Sequence, residues 1–280
     1  MFKILVIALY LLGSFCFADS NPQSWAQRTT PTSDSISQSI GTFTSGCVAG
    51  AMALPTSGIG YQAMRLSRNR VYGHSALIQF IQQLGQVAAD QQLGTLLIGD
   101  LGQARGGPTP SGHRSHQTGL DVDIWFLLSR QLDNRLLSAN ERETWSAPSM
   151  VNLSTDTVDY RQWTEAHEKI LQAAANSPEV DRIFVNPSIK QELCKHKTAS
   201  AAEWLRKIRP WWKHDDHFHV RLKCPDGNLY CQGQPALPIG DGCDASLAWW
   251  FSAEAKTPSK PAKPTAPPPL PALCEQVLNQ

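Results

Sequence analysis

Residues 120–126, LDVDIWF, and residues 217–222, HFHVRL, contain the alternation that decides the fold. In each stretch apolar residues alternate with residues of a different kind, as expected for a β-strand that buries one face. The outer face carries, in chain order, Asp121, Asp123 and Trp125 in the first strand and His217, His219 and Arg221 in the second. If the two strands are neighbours, both sets of side chains face one groove.

Elsewhere the chain mixes helical and extended patterns. Apolar residues recur at helical spacing over 74–93, and two further helices are predicted at 164–177 and 200–208. Short apolar runs predict strands at 95–100 and 180–185. Because no regular βαβ rhythm emerges, we expect an α+β fold: a small, mainly antiparallel sheet with flanking helices and long loops.

The N-terminal residues 1–18, MFKILVIALYLLGSFCFA, have the charge, apolar run and small final residue of a signal peptide. The run is too short for a transmembrane helix, which needs about 20 apolar residues. A polar segment at 19–46 predicts a weakly ordered lead-in, and 47–255 the folded domain. The proline-rich residues 256–280 predict an extended tail, tied back to the domain by Cys274.

The net charge indicates which partners are improbable, and the cysteines indicate the compartment in which the protein folds. The net charge is +1 with no basic stripe, which argues against nucleic acid as a partner. Of seven cysteines, the six outside the signal peptide predict three disulfides in an oxidising compartment. Spacing favours one pair, Cys224 with Cys231, which flank a turn-forming stretch, and leaves the others open.

Five of the eight histidines fall in the stretches 111–126 and 211–224. Zinc in a hydrolase commonly takes three nitrogen or carboxylate ligands and keeps a fourth position for water. His116, from a loop rich in glycine, would join Asp123 and His219 as such a set. Spacing alone leaves His217 as either a ligand or a free base.

Other residues have competing interpretations. We expect His74, His167 and His196 to serve as helix caps or surface groups. The arginines Arg105, Arg114 and Arg221 are equally compatible with binding a substrate carboxylate and with ordinary solvation. Five tryptophans favour core or groove wall over a sugar platform: Trp204, Trp211, Trp212, Trp249 and Trp250.

The two histidine-rich stretches, SGHRSHQTGLDVD and HDDHFHVRLKC, resemble the penicillin-insensitive murein endopeptidases, relatives of lysostaphin, D-Ala-D-Ala metallopeptidases and hedgehog domains. The resemblance extends from about Cys47 to Cys274, through RIFVNPSIKQELC and WLRKIRPWW. It implies one catalytic Zn²⁺ on His116, Asp123 and His219, with His217 and His214 as unliganded catalytic histidines.

The resemblance also implies a periplasmic enzyme that cleaves the D-alanyl-meso-diaminopimelyl cross-link of peptidoglycan stem peptides, insensitive to penicillin. It implies the disulfides Cys47–Cys274, Cys194–Cys243 and Cys224–Cys231. Some members bind a second zinc at a homodimer interface, through a histidine equivalent to His113 and a later aspartate and histidine. Here the stretch around Asp156 contains Asp159 but no histidine, which leaves that metal and the dimer open.

Three alternatives stand beside this interpretation. A zinc D-Ala-D-Ala carboxypeptidase would use the same ligands on uncross-linked peptides. A non-catalytic zinc module would only bind wall peptides. A metal phosphoesterase would need a second carboxylate-rich cluster, for which Asp215 and Asp216 offer little.

Overall fold

The computed structural model describes residues 20–198, 201–257 and 268–280. The strands are β1 Gln38–Thr42, β2 Ser45–Ala49, β3 Met52–Ala53, β4 Ser57–Gly58, β5 Tyr61–Ala63, β6 Tyr72–Gly73, β7 Leu96–Ile98, β8 Asp121–Trp125, β9 Val151–Asn152, β10 Thr157–Val158, β11 Val180–Val185, β12 Ile208–Pro210 and β13 His217–Leu222. The α-helices are α1 Pro22–Ala26, α2 Ser75–Asp90, α3 Ala139–Thr144, α4 Glu165–Asn176, α5 Pro187–Lys195, α6 Ala202–Lys207, α7 Ala245–Trp249, α8 Ala253–Lys256 and α9 Leu273–Asn279. Two short 3₁₀ helices cover Leu66–Arg68 and Arg130–Leu132.

A seven-stranded sheet forms the centre of the fold, with strand order β12-β11-β13-β8-β7-β5-β4. The pairs β11–β12 and β5–β7 are parallel, and the other four neighbouring pairs are antiparallel. The predicted α+β fold with a mainly antiparallel sheet is therefore confirmed. The three predicted helices correspond to α2, α4 and α6, and the four predicted strands to β7, β8, β11 and β13.

Strands β8 and β13 are direct neighbours in the middle of this sheet. They pair antiparallel, and the register places Asp123 opposite His219. The inner face of both strands belongs to the main core, on which α2 and α4 also pack, through Val122, Ile124, Phe218 and Val220. The alternation in the sequence thus sets which side chains are left for the groove.

The described part of the predicted lead-in, residues 20–46, is more ordered than its composition predicts. It contains α1 and β1, and β1 pairs with β2 across the expected domain boundary at residue 47. Trp25 is fully buried, and with Ile40 it joins Leu270 and Val277 in a second apolar cluster. A few apolar side chains are enough to order a polar segment when the C-terminal helix α9 covers them.

Within the residues that the structure describes there are three disulfides: Cys47–Cys274, Cys194–Cys243 and Cys224–Cys231. They are the three pairs that the resemblance implies. The first joins β2 to α9, so the C-terminal helix is attached to the domain as expected for the end of the tail. The predicted signal peptide and the central part of the proline-rich tail lie outside the described residues.

Over the ranges that the structure describes, no helix has the length and apolar character to span a bilayer.

Candidate metal centre

The groove over β8 and β13 gathers polar side chains from both strands. His219 Nδ1 lies 3.0 Å from Asp123 Oδ1, as expected from the pairing of these two residues across the strands. The opposite ring nitrogen, His219 Nε2, shares a 2.6 Å hydrogen bond with Asp121 Oδ1. Because the carboxylate accepts, Nε2 carries a proton, and Nδ1 is the nitrogen that faces Asp123.

His116 reaches the same place from the loop between β7 and β8. Its backbone has a φ of 68°, in the left-handed region that non-glycine residues seldom adopt and that clusters at functional sites. Nδ1 donates to the carbonyl of Leu101 at 3.0 Å. The other nitrogen, Nε2, lies 3.6 Å from Asp123 Oδ1.

Two of the converging atoms are buried without a hydrogen-bond partner. Among the described residues, nothing bonds to His116 Nε2 or to Asp123 Oδ1, and the close approach of His219 Nδ1 lacks hydrogen-bond alignment. Both imidazole nitrogens therefore approach one buried carboxylate oxygen, an arrangement that a proton or a metal ion between the atoms would stabilise. Their separations of 3.0 and 3.6 Å lie around the roughly 3.3 Å expected between ligand atoms about 2.0 Å from a tetrahedral zinc.

The electrostatics also favour a cation here. Burial alone would lower the pKa of His219, but the carboxylates of Asp121 and Asp123 outweigh burial and raise it. Burial likewise acts to raise the pKa of Asp123, yet His116 and His217 hold it well below its usual range. Asp123 is therefore ionised, and the groove attracts positive charge at His219 Nδ1.

His113 forms a second, overlapping set with His116 and Asp123. Ligand atoms of these three residues lie within 4.8 Å of one another, which makes them a possible metal-binding triad. However, His113 approaches the other carboxylate oxygen, with Nδ1 3.3 Å from Asp123 Oδ2, and its Nε2 faces Asp100 Oδ2 at 3.1 Å. Because His116 Nε2 and His219 Nδ1 both approach Asp123 Oδ1, whereas His113 approaches Oδ2, we favour the set with His219 as the candidate for a single ion.

The aspartates considered for an interfacial metal are engaged elsewhere. Asp156 pairs with Lys256, and Asp159 pairs with Arg161. Neither belongs to a potential metal-binding group within the described ranges.

His217 and His214 border the groove without joining the three converging atoms. His217 Nδ1 lies 2.5 Å from Asp216 Oδ1, and Nε2 lies 3.8 Å from Asp123 Oδ1. Burial lowers the pKa of His217, but Asp123 and Asp216 outweigh burial and raise it. The Asp216 carboxylate therefore orients this imidazole and leaves Nε2 free to face the groove.

The His214 ring centroid lies 4.9 Å from that of His217. Its Nδ1 donates to the carbonyl of Trp212 at 2.9 Å, and burial lowers its pKa to about 4. His214 is therefore neutral at pH 7, and its Nε2 is a hydrogen-bond acceptor. The backbone at Lys213 and His214 has positive φ, a second strained segment beside the groove.

Two of the three arginines considered for binding a substrate carboxylate are buried and bond to protein groups instead. Arg221 is buried, donates from Nε to Asp121 Oδ1 at 2.7 Å and stacks on Phe43. Arg105 is buried and donates to the carbonyls of Val277 and Leu278, which anchors α9. Arg114 is exposed on the loop that carries His116. The Arg221–Asp121 pair thus adjoins His219, because Asp121 Oδ1 accepts from both residues.

The remaining histidines take the structural roles expected of them. His74 caps α2 by accepting from the backbone of Ala76, and His167 forms the capping box of α4. His196 ends α5 at the surface beside Glu168. Trp204 is buried, whereas Trp211, Trp212 and Trp250 form an aromatic wall that reaches the groove through Phe184.

Asp100 was not recognised in the sequence as a site residue. It lies two residues beyond the end of β7, its side chain is almost fully buried, and it connects His113 to two arginines. The only sequence signal was its position at the end of the predicted strand 95–100.

Comparison with known proteins finds one family whose members are similar to this chain over most of its length. A family model described as penicillin-insensitive murein endopeptidase matches residues 39–279. A penicillin-insensitive murein endopeptidase from Haemophilus influenzae is 42% identical over 266 residues, which cover 93% of this chain and 90% of the relative. One from Klebsiella pneumoniae is 44% identical over 281 residues, covering 99% and 98%. One from Salmonella typhi is 42% identical over 273 residues, covering 98% and 97%.

Proposed function

The chain belongs to the family of penicillin-insensitive murein endopeptidases, and we propose that it is a zinc-dependent enzyme of peptidoglycan hydrolysis. The bond we assign to it is the D-alanyl-meso-diaminopimelyl cross-link between stem peptides. Family membership supports the endopeptidase class, and the geometry of the groove supports the metal.

One observation carries the metal assignment. His116 Nε2 and Asp123 Oδ1 are buried and lack hydrogen-bond partners among the described residues, and His219 Nδ1 faces the same point. The far nitrogen of each histidine is held, one by the Leu101 carbonyl and the other by the Asp121 carboxylate. Such outer partners are usual for histidines that bind zinc, because they set the tautomer and the ring orientation.

His116, Asp123 and His219 would therefore hold the ion. When bound, zinc supplies Lewis acidity towards the scissile carbonyl and makes water a nucleophile near neutral pH. All three side chains come from the sheet or from a strained loop packed on it, so they are positioned before substrate arrives.

His217 is the proton carrier in this proposal. Its Nδ1 is committed to Asp216, so Nε2 can accept a proton from the attacking water and return it to the amine that leaves. While protonated, the same Nε2–H can donate to the oxyanion that develops on the carbonyl. The raised pKa of His217 suits a group that must hold the proton between these two steps.

His214 has a different part because its imidazole is neutral and its Nδ1–H is committed to Trp212. Its Nε2 is an acceptor, which suits a substrate N–H rather than an oxyanion. We therefore assign His214 to positioning the peptide and His217 to proton transfer.

Penicillin insensitivity follows from the same chemistry. Penicillin acts by acylating a nucleophilic serine, and in this proposal water attacks the peptide directly. The predicted signal peptide and the three disulfides support a periplasmic location, since disulfides persist in oxidising compartments.

The test is product analysis on a purified cross-linked muropeptide dimer, with an uncross-linked pentapeptide in parallel. We expect conversion of the dimer to monomers, abolished by a chelator, restored by zinc and unaffected by penicillin. Release of terminal D-alanine from the pentapeptide, with the dimer left intact, would instead identify a carboxypeptidase. An intact dimer with zinc bound would leave only a wall-binding module.

A further inference from the structure

A cavity of about 430 Å³ adjoins the metal centre. It lies between the segment after α1, the 3₁₀ helix Leu66–Arg68 with the residues that follow it, and the loop 110–113. Its charged and polar lining consists of Arg28, Arg68, Asn69, Arg70, Asp100, Gln103, Ser111 and His113. Three guanidinium groups in one cavity make it the natural place for an anion.

The one carboxylate in the lining does not neutralise the arginines. Asp100 Oδ2 accepts from Arg68 at 3.1 Å and from Arg70 at 3.0 Å. Burial acts to raise the pKa of Asp100, but His113, Arg68 and Arg70 outweigh burial and lower it, so the carboxylate is ionised. The cavity keeps a net charge of two positive units, with His113 counted as neutral.

Arg28 supplies the donor groups that remain. No ion pair or side-chain hydrogen bond engages it within the part of the chain that the structure describes. Its segment is nevertheless held in place, because Trp25 is fully buried and the carbonyl of Thr29 accepts from Asn69 and Tyr72. The backbone therefore keeps Arg28 beside the cavity, and the donors of its exposed guanidinium are available.

A single imidazole separates this cavity from the proposed zinc ligand. His113 Nδ1 lies 3.3 Å from Asp123 Oδ2, and His113 Nε2 lies 3.1 Å from Asp100 Oδ2. A group bound among the arginines would consequently belong to a residue next to the bond being cleaved. In a cross-linked stem peptide, the free carboxylate of diaminopimelate is on the residue that forms the cleaved bond, and that of D-glutamate is on the next residue along.

We propose that the cavity is a subsite for a free carboxylate of the stem peptide beside the scissile bond, with Arg28 as its available ligand. The inference rests on the proposed function and adds to it a basis for substrate choice. Arg68 and Arg70 hold the Asp100 carboxylate and set the positive potential, and Arg28 donates to the substrate. An amide in place of the carboxylate removes both the charge and the paired acceptor oxygens.

The test compares three muropeptide dimers: one with free carboxylates, one amidated at diaminopimelate and one amidated at D-glutamate. The wild-type protein should cleave the free form with a kcat/KM about fivefold to tenfold above that of one amidated form, which identifies the carboxylate bound. Arg28→Gln should abolish that preference, mainly by raising KM for the free form. Arg28→Lys should keep part of it, and Arg28→Glu should favour the amidated form.

Arg130→Gln is the matched control, an exposed arginine outside this cavity whose loss should leave all three rates unchanged. Equal wild-type rates on the three dimers would overturn the subsite. So would an Arg28→Gln variant that melts like the wild type and loses activity equally on all three. Either result leaves the endopeptidase function intact, whereas a wild-type protein that cleaves no dimer would refute that function instead.

Discussion

His219 and Asp121 share a buried 2.6 Å hydrogen bond that turns the other face of the imidazole towards Asp123. Asp121 also accepts from Arg221, and the Arg221 guanidinium together with the hydrogen bond from His219 holds the pKa of Asp121 well below its usual range although burial acts to raise it. One carboxylate thus fixes the tautomer of His219 and compensates a buried arginine. The hydrogen bond connects the sheet to the metal centre.

Replacing this carboxylate should loosen the metal. Asp121→Asn keeps the shape but removes the charge that orients His219, and loss of such an outer partner typically costs tenfold to a hundredfold in metal affinity or activity (about 1–3 kcal/mol). Zinc competition against a chromogenic chelator measures the affinity. Asp133→Asn, which alters a carboxylate paired with Thr95 outside the site, should retain wild-type affinity; equal affinities in the two variants would remove Asp121 from the metal centre.

Two histidines on β13 should separate metal binding from turnover. His217→Ala should retain zinc while kcat falls about 10²- to 10⁴-fold, the usual contribution of a general acid–base group. His219→Ala should lose both zinc and activity. Metal analysis and rates on the muropeptide dimer check this, with the surface variant His196→Ala as control; a His217→Ala enzyme of normal kcat would end the role assigned to that residue.

The disulfide Cys47–Cys274 should contribute more to stability than the shortest one. It joins cysteines 227 residues apart, whereas Cys224–Cys231 joins cysteines 7 residues apart. In the chain-entropy description, restraint of the unfolded chain increases with loop length, so the paired serine variant Cys47→Ser/Cys274→Ser should lose about 2–5 kcal/mol of unfolding free energy. The matched Cys224→Ser/Cys231→Ser variant should lose less.

Denaturant unfolding measures the unfolding free energy of both serine variants, at one pH and with their remaining disulfides oxidised. Loss of the Cys47–Cys274 disulfide should also weaken the second apolar cluster, because α9 packs on β2 beside Cys47. Equal losses in the two variants would show that chain entropy does not govern the difference.

Lys190 should make stability depend on pH. It is fully buried on α5, donates to the carbonyls of Leu205 and Asp241, and burial lowers its pKa to about 7. Between pH 7 and its ordinary pKa near 10.5 the unfolded chain binds the proton and the folded chain does not. Unfolding free energy should therefore rise with pH across that window, by at most about 1.4 kcal/mol per pH unit from this group.

Denaturant unfolding at pH 7, 8 and 9 tests the contribution of Lys190. The variant Lys190→Met lacks the titrating group, so the difference in unfolding free energy between wild type and variant should change with pH. Parallel pH profiles for the two proteins would contradict the lowered pKa.

The arrangement of Asp123 and His219 in the proposed metal centre was predictable because both residues lie on strands. The alternation in 120–126 and 217–222 placed Asp123 and His219 on the outer face of their strands, and the pairing of β8 with β13 brings them together. A strand has a period of two residues, so side-chain direction follows from position alone once the strand is recognised. His116 was predicted as a ligand from the family resemblance and from its position in a loop rich in glycine.

Residues outside regular structure were harder to interpret. Arg28 lies in a segment predicted to be weakly ordered, and Asp100 at the end of a strand showed no feature of a site residue. The sequence left Arg221 as a candidate for binding a substrate carboxylate, and in the structure it is the buried partner of Asp121. Their roles depend on contacts between residues far apart in the chain, which local composition and periodicity do not contain.

By itself, the sequence determined the fold class, the two central strands and the side chains on their outer faces, because alternation and helical spacing are local consequences of backbone geometry. Only the tertiary structure decided which nitrogen of His219 faces Asp123, which arginines surround Asp100 and how the polar lead-in becomes ordered. Those properties arise when distant segments pack and bury their polar atoms, since a buried group must find its partner wherever the fold brings one.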